Sequence, residues 1–145
     1  MTAAMNNRPD FTWLINDFVH KVHGVSHALI MSSDGFPLTA SDEVSGNEAE
    51  HLAAISSGLL SLASNSAALF EKGSCEQIIM RLTRGYFLFM EISSGAGLAV
   101  LTRPECDMKV VAYEMTQFVR NAGHALTPER RADMRRVLTA RRPQA

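Results

Sequence analysis

Cysteine is scarce. The chain holds only Cys75 and Cys106, and they form no C-x-x-C pair. That excludes a disulfide scaffold and a zinc site of the paired-cysteine kind. With eight methionines and no leader-like start, the chain fits a reducing cytosol. An excess of either charge is also missing: the formal net charge is −1, which gives no bulk attraction to nucleic acid. No uninterrupted apolar run approaches the roughly 18 residues of a membrane span. There is no G-x-S-x-G around any serine, so nucleophilic hydrolysis has no cue. Gly95-Ala96-Gly97 is too short for a phosphate loop and precedes a strand-like run instead of a helix. The chain therefore does not read as a nucleotide hydrolase itself. Internal repeats and low-complexity segments are absent as well.

What is present is one domain's worth of chain, 145 residues with 46% apolar side chains. Its most informative segment runs from Asn47 to Lys72, a long helix rich in Ala, Ser and Gly. Ser45 and Glu48 match a capping box at its start. Leu52, Ile55, Leu59, Leu62 and Leu69 give it an apolar stripe. Elsewhere Ala49, Ala53, Ser56, Ser57, Ser61, Ser64, Ala67 and Ala68 leave the backbone cylinder bare. Such a helix can approach another helix or a sheet closely, and close approach sums many small dispersion terms.

Around it the pattern is regular. Asp10 can cap a first helix whose apolar face is Phe11, Leu14, Ile15, Phe18 and Val22, with Trp13 and Val19 widening it and Gly24 stopping it. VSHALIMS is an apolar strand covered on both faces. Asp34-Gly35 is a hairpin signal, and Pro37 places the returning FPLTAS strand at a sheet edge. A meander of three strands follows the long helix. Its first, Glu76–Arg84, sets Ile78, Met80 and Leu82 on one face and Gln77, Ile79, Arg81 and Thr83 on the other. Asp107 can cap a further helix with Met108, Val111, Ala112, Met115, Phe118, Val119 and Ala122 inward. Thr127-Pro128-Glu129 opens a short basic helix. Short turns make the strand pairs antiparallel, and strands covered on both faces need helices on both sides. The expected class is a three-layer α/β sandwich, with residues 1–9 as a flexible tail, 10–125 as the domain and 126–145 as a basic terminal helix and tail.

Three segments carry a family resemblance: GVSHALIMSSDGFPL (Gly24–Leu38), the Ala/Ser-rich helix with Leu52, Leu59 and Leu62, and GAGLAVLTRPECDMKVVAYEM (Gly95–Met115). Taken in order they resemble the roadblock / dynein-light-chain family over about residues 10–125. The resemblance implies a roadblock/profilin-like fold with a five-stranded antiparallel sheet of order 2-1-5-4-3. The first and third helices share one face and the long helix holds the other. It implies a noncatalytic scaffold or regulator of a Ras-like small GTPase, without a cofactor or metal. A sensor kinase-like protein is a further possible member of the complex, and the membrane is reached only indirectly, through partners. Family members pair through the third strand and the long helix. An unpaired Glu76–Arg84 strand would expose donors and acceptors, and pairing with a second copy removes that edge. The expected interface is Ser57, Ser61, Ser64 and Ala68 on the helix with Gln77, Ile79 and Arg81 on the strand.

Other chemistry reads as weaker. His20, His23 and His27 could hold a metal, but His20 and His23 also suit a helix C-terminus. His51 and His124 stand alone. Arg81, Arg84 and Arg103 could each act on a GTPase in trans, or serve as solvated strand-end charges. The terminal helix surrounds Met134, Val137 and Leu138 with Arg130, Arg131, Arg135 and Arg136. It could lie on an anionic membrane, dock on an acidic partner, or remain a solvated end. Its removal is expected to leave the fold intact. Two further classes stay open: a PAS- or GAF-like sensor, which needs a pocket between sheet and helix, and a passive scaffold subunit.

Overall fold

The computed structural model describes residues 11–93 and 95–140. The elements are α1 (Phe11–Lys21), β1 (Val25–Ser32), β2 (Pro37–Ala40), α2 (Gly46–Leu69), β3 (Gln77–Leu82), β4 (Gly85–Ser93), β5 (Ala96–Thr102), α3 (Met108–Ala122), a 3-10 turn (Gly123–Ala125) and α4 (Pro128–Ala140). The strands form one sheet of order β2-β1-β5-β4-β3 with antiparallel neighbours throughout. This is the expected topology. The proposed cap Asp10, the N-terminal tail and residues 141–145 lie outside the described residues, as do the side chains of Arg136, Val137 and Leu138.

Alternation along each strand divides the core in two. Ala28, Ile30, Leu88, Leu98 and Val100 face α1 and α3, where they meet Ile15, Phe18, Val111 and Met115. Leu29, Met31, Phe87, Phe89 and Ala99 face α2. β1 and β5 are the central pair and are buried along most of their length. The hairpin after β1 turns at Gly35, whose φ of +95° a side-chain-bearing residue would resist. Trp13 does not widen the core stripe of α1 and is exposed instead.

α2 begins with the expected capping box. Ser45 Oγ accepts from the Glu48 N–H at 3.1 Å, and Glu48 Oε1 accepts from the Ser45 N–H at 3.0 Å. These bonds from Ser45 hold the Glu48 carboxyl below its ordinary range. The cap therefore contributes above that range and is lost as acid protonates Glu48.

By length and composition α2 is long and apolar enough to cross a membrane. The run-length reading missed this because Ser and Gly interrupt the apolar residues. The fold excludes a span: α2 runs between β2 and β3 of one sheet, and Ala49, Ala53 and Ser56 are packed on that sheet.

α4 is more than an appended end. It lies along β2. Leu126 and Met134 join the core on the α1 side, and the Arg130 guanidinium sits 5.5 Å from the Phe11 ring centre. Removing the chain from Thr127 onward would take away Met134 and the Arg130 contact with Phe11, so a lower melting temperature is expected of the shortened chain even where the fold stays intact.

Candidate protein-interaction surface

A helix usually turns its large apolar residues inward. α2 does so only in part. Its buried residues are Ala49, Ala53 and Ser56, small side chains that let the backbone settle close onto Phe87, Phe89 and Met31. Leu52 and Leu59 border that core. Ile55, Leu62 and Leu69, spaced seven apart and so nearly superposed along the helix, are 56, 68 and 75% exposed. Phe70 follows them, also exposed. From Leu52 to Phe70 the chain carries no Asp, Glu, Lys, Arg or His. Water thus meets an uncharged helix face with an apolar ridge, which marks a contact surface.

The serine positions lie on a different flank. Ser57 Oγ donates to the Ser33 carbonyl at 2.9 Å, which ties that side of α2 to the hairpin joining β1 and β2. Ser61, Ser64 and Ala68 follow Ser57 at helical spacing. Ser61 and Ala68 are exposed, and Ser64 is half-buried. Ser56 is fully buried, and its hydroxyl has no hydrogen-bond partner among the described residues. Ser56→Ala is expected to raise unfolding stability by about 1 kcal/mol, because it removes an unsatisfied buried oxygen. A chemical melt reads it, and a loss of stability would mean that the hydroxyl is bonded in solution.

β3 ends the sheet and, among the described residues, pairs only with β4. Gln77, Ile79, Arg81 and Leu82 are exposed, while Ile78 and Met80 border the core beneath α2. Ile79 is apolar yet 44% exposed. The open strand and the exposed leucine ridge of α2 offer two ways to bind: backbone pairing and apolar contact.

The terminal arginines are engaged by their own chain. Arg130 lies over Phe11 and Arg135 over Phe36, with centroid distances of 5.5 and 3.4 Å. Arg131 donates to the Leu126 carbonyl at 2.9 Å. Arg81, Arg84 and Arg103 are all exposed. Among the described residues no three His, Cys, Asp or Glu groups gather as metal ligands. His20 lies 3.9 Å from Glu43, and His27 bonds with Ser26. Cys106 donates to Thr102 Oγ1, and Cys75 to the Gln77 carbonyl. The space that a ligand sensor would use, between α2 and the sheet, is filled by Leu29, Met31, Phe87 and Phe89.

Fold and surface together define a small α/β interaction domain. The chain belongs to the Roadblock/LC7 domain family, whose profile matches residues 11–102, from α1 through β5. The family consists of noncatalytic regulatory domains. A Roadblock/LC7 domain from Streptomyces avermitilis superposes with a TM-score of 0.77 at 30% identity, covering 81% of this chain and 98% of that one. Myxococcus xanthus MglB superposes at 0.72 with 9% identity, covering 78% and 84%. The gliding protein mglB from Thermus thermophilus superposes at 0.70 with 13% identity, covering 78% and 85%. These last two show the fold alone. A search of curated proteins finds no significant match.

Proposed function

We propose that this chain is a homodimeric, noncatalytic regulator or adaptor of a Ras-like small GTPase in the bacterial cytoplasm. The observations that carry the reading are the uncharged, exposed face of α2 and the open edge of β3. Two copies related by a two-fold axis would pair their β3 strands antiparallel, with Gln77, Ile79 and Arg81 in the seam. The Ile55, Leu62 and Leu69 ridges would then meet across the axis. The flank holding Ser57, Ser61, Ser64 and Ala68 is the alternative helix contact for the same pair.

Family membership and the fold shared with MglB support a GTPase as partner. Action would be by surface contact. To change the switch equilibrium, the dimer must bind the two nucleotide states with different affinity. Equal affinity would leave a passive scaffold, the second reading. Sedimentation of the purified chain tests the foundation. Twice the chain mass of 15.9 kDa is expected at micromolar concentration. A single-chain mass would remove the second copy.

A further inference from the structure

The two ends of the sheet are defended unequally. A strand edge offers unpaired donors and acceptors to any other strand. β2, at one end, has four residues, begins at Pro37 and has α4 along it. Shortness, a missing donor and a covering helix are three separate ways to blunt an edge. β3, at the other end, has six residues, no proline and four exposed positions.

We propose that α4 is an edge guard: a contact within the chain that keeps β2 from adding a strand of a second copy, and so confines self-assembly to β3. A sheet that grows at both ends does not close, and repeated addition builds open assemblies. A guard on one end stops growth at a pair.

The contact is held in a way that allows release. Met134 is buried, and two cations rest on aromatic faces, Arg135 on Phe36 just before β2 and Arg130 on Phe11 of α1. Phe36 is itself partly open to water. A cavity of about 400 Å³ remains between α4, β2 and the first turn of α2, bordered by Phe11, Ala40, Val44, Ala49 and Met134. α4 therefore meets the edge through Met134 and the two cation–aromatic contacts, with open space beside them. Removing the two cations should loosen it without cutting the core.

The test compares the full chain with its Arg130→Ala/Arg135→Ala variant, by sedimentation velocity and by amide exchange over Leu38, Thr39 and Ala40. The expected result is exchange about tenfold faster at those amides, with β1 and β5 unchanged, and species heavier than the wild type at equal concentration. Unchanged β2 exchange would show that α4 does not cover the edge. Faster exchange at wild-type mass would show that the bared edge does not associate. Either result overturns the proposal. Arg135→Ala alone should shift both readouts the same way by less, and it serves if the double variant loses its fold. The inference rests on the β3 dimer only for the starting mass. A wild-type monomer would sink that reading, yet still leave the change on loosening α4 to be read.

Discussion

Leu62→Arg is expected to halve the sedimenting mass and leave the melting temperature of the separated chain unchanged. Leu62 is exposed in the single chain and sits mid-way along a helix face without charge. The variant therefore loses no packing within its own fold. In the proposed dimer the side chain meets its mate, and a guanidinium there would be buried without a counter-charge. Such burial costs about 3 kcal/mol or more, at least a hundredfold in the dissociation constant. Ile79→Lys should act in the same direction from the strand. Ser61→Arg is the discriminating companion. The sequence reading places Ser61 in the interface, and in the structure Ser61 is exposed, one turn beyond the Ser57 that bonds the hairpin. A small effect at Ser61 and a large one at Leu62 assigns the helix contact to the leucine ridge. The reverse would return it to the serine stripe.

Gly24→Ala is expected to cost about 3 kcal/mol of stability or to prevent folding. Gly24 joins α1 to β1 with φ of +93°, a region that side chains resist. An added Cβ would fall 2.3 Å from the Cys106 Cβ, and 3.1 Å from the Glu105 carbonyl. The Gly24 carbonyl also accepts from the Arg103 N–H at 2.7 Å. The substitution thus drives apart the start of β1 and the segment leading into α3. Thermal melting of the variant measures it. A midpoint within a degree or two of wild type would mean that this corner yields more easily than its geometry implies.

Gly24 also illustrates what the sequence could and could not tell. As a helix stop it was legible, because Gly follows the last apolar position of the Phe11–Val22 stripe. Its approach to Cys106 was not, since the two are remote in sequence and meet only when β1 pairs with β5. The sheet order was legible through the resemblance, and the edge position of β2 through Pro37. The facing of α2 was not. Leu52, Ile55, Leu59, Leu62 and Leu69 and the set Ala49, Ala53 and Ser56 each have helical spacing. Burial preference favours the larger residues inside, while close packing on a twisted sheet favours the smaller; here Ala49, Ala53 and Ser56 are buried, Leu52 and Leu59 lie at the edge of that core, and Ile55, Leu62 and Leu69 are exposed. One signal was available: an uncharged run from Leu52 to Phe70 leaves the helix no ordinary solvent face. The role of the arginines of α4 was hidden for a different reason. Amphipathic spacing shows a charged side, but it does not show that Phe11 and Phe36 lie beneath those charges.

The function asks for one decisive measurement: binding of the purified protein to the Ras-like GTPase encoded nearest to it, loaded with GDP and then with a nonhydrolysable GTP analogue. The account predicts a complex that is at least several-fold tighter in one nucleotide state and is lost with Leu62→Arg. Equal binding in both states would leave an adaptor without regulatory action. No binding in either state, by a chain that is otherwise dimeric, would contradict the assignment of a GTPase as partner.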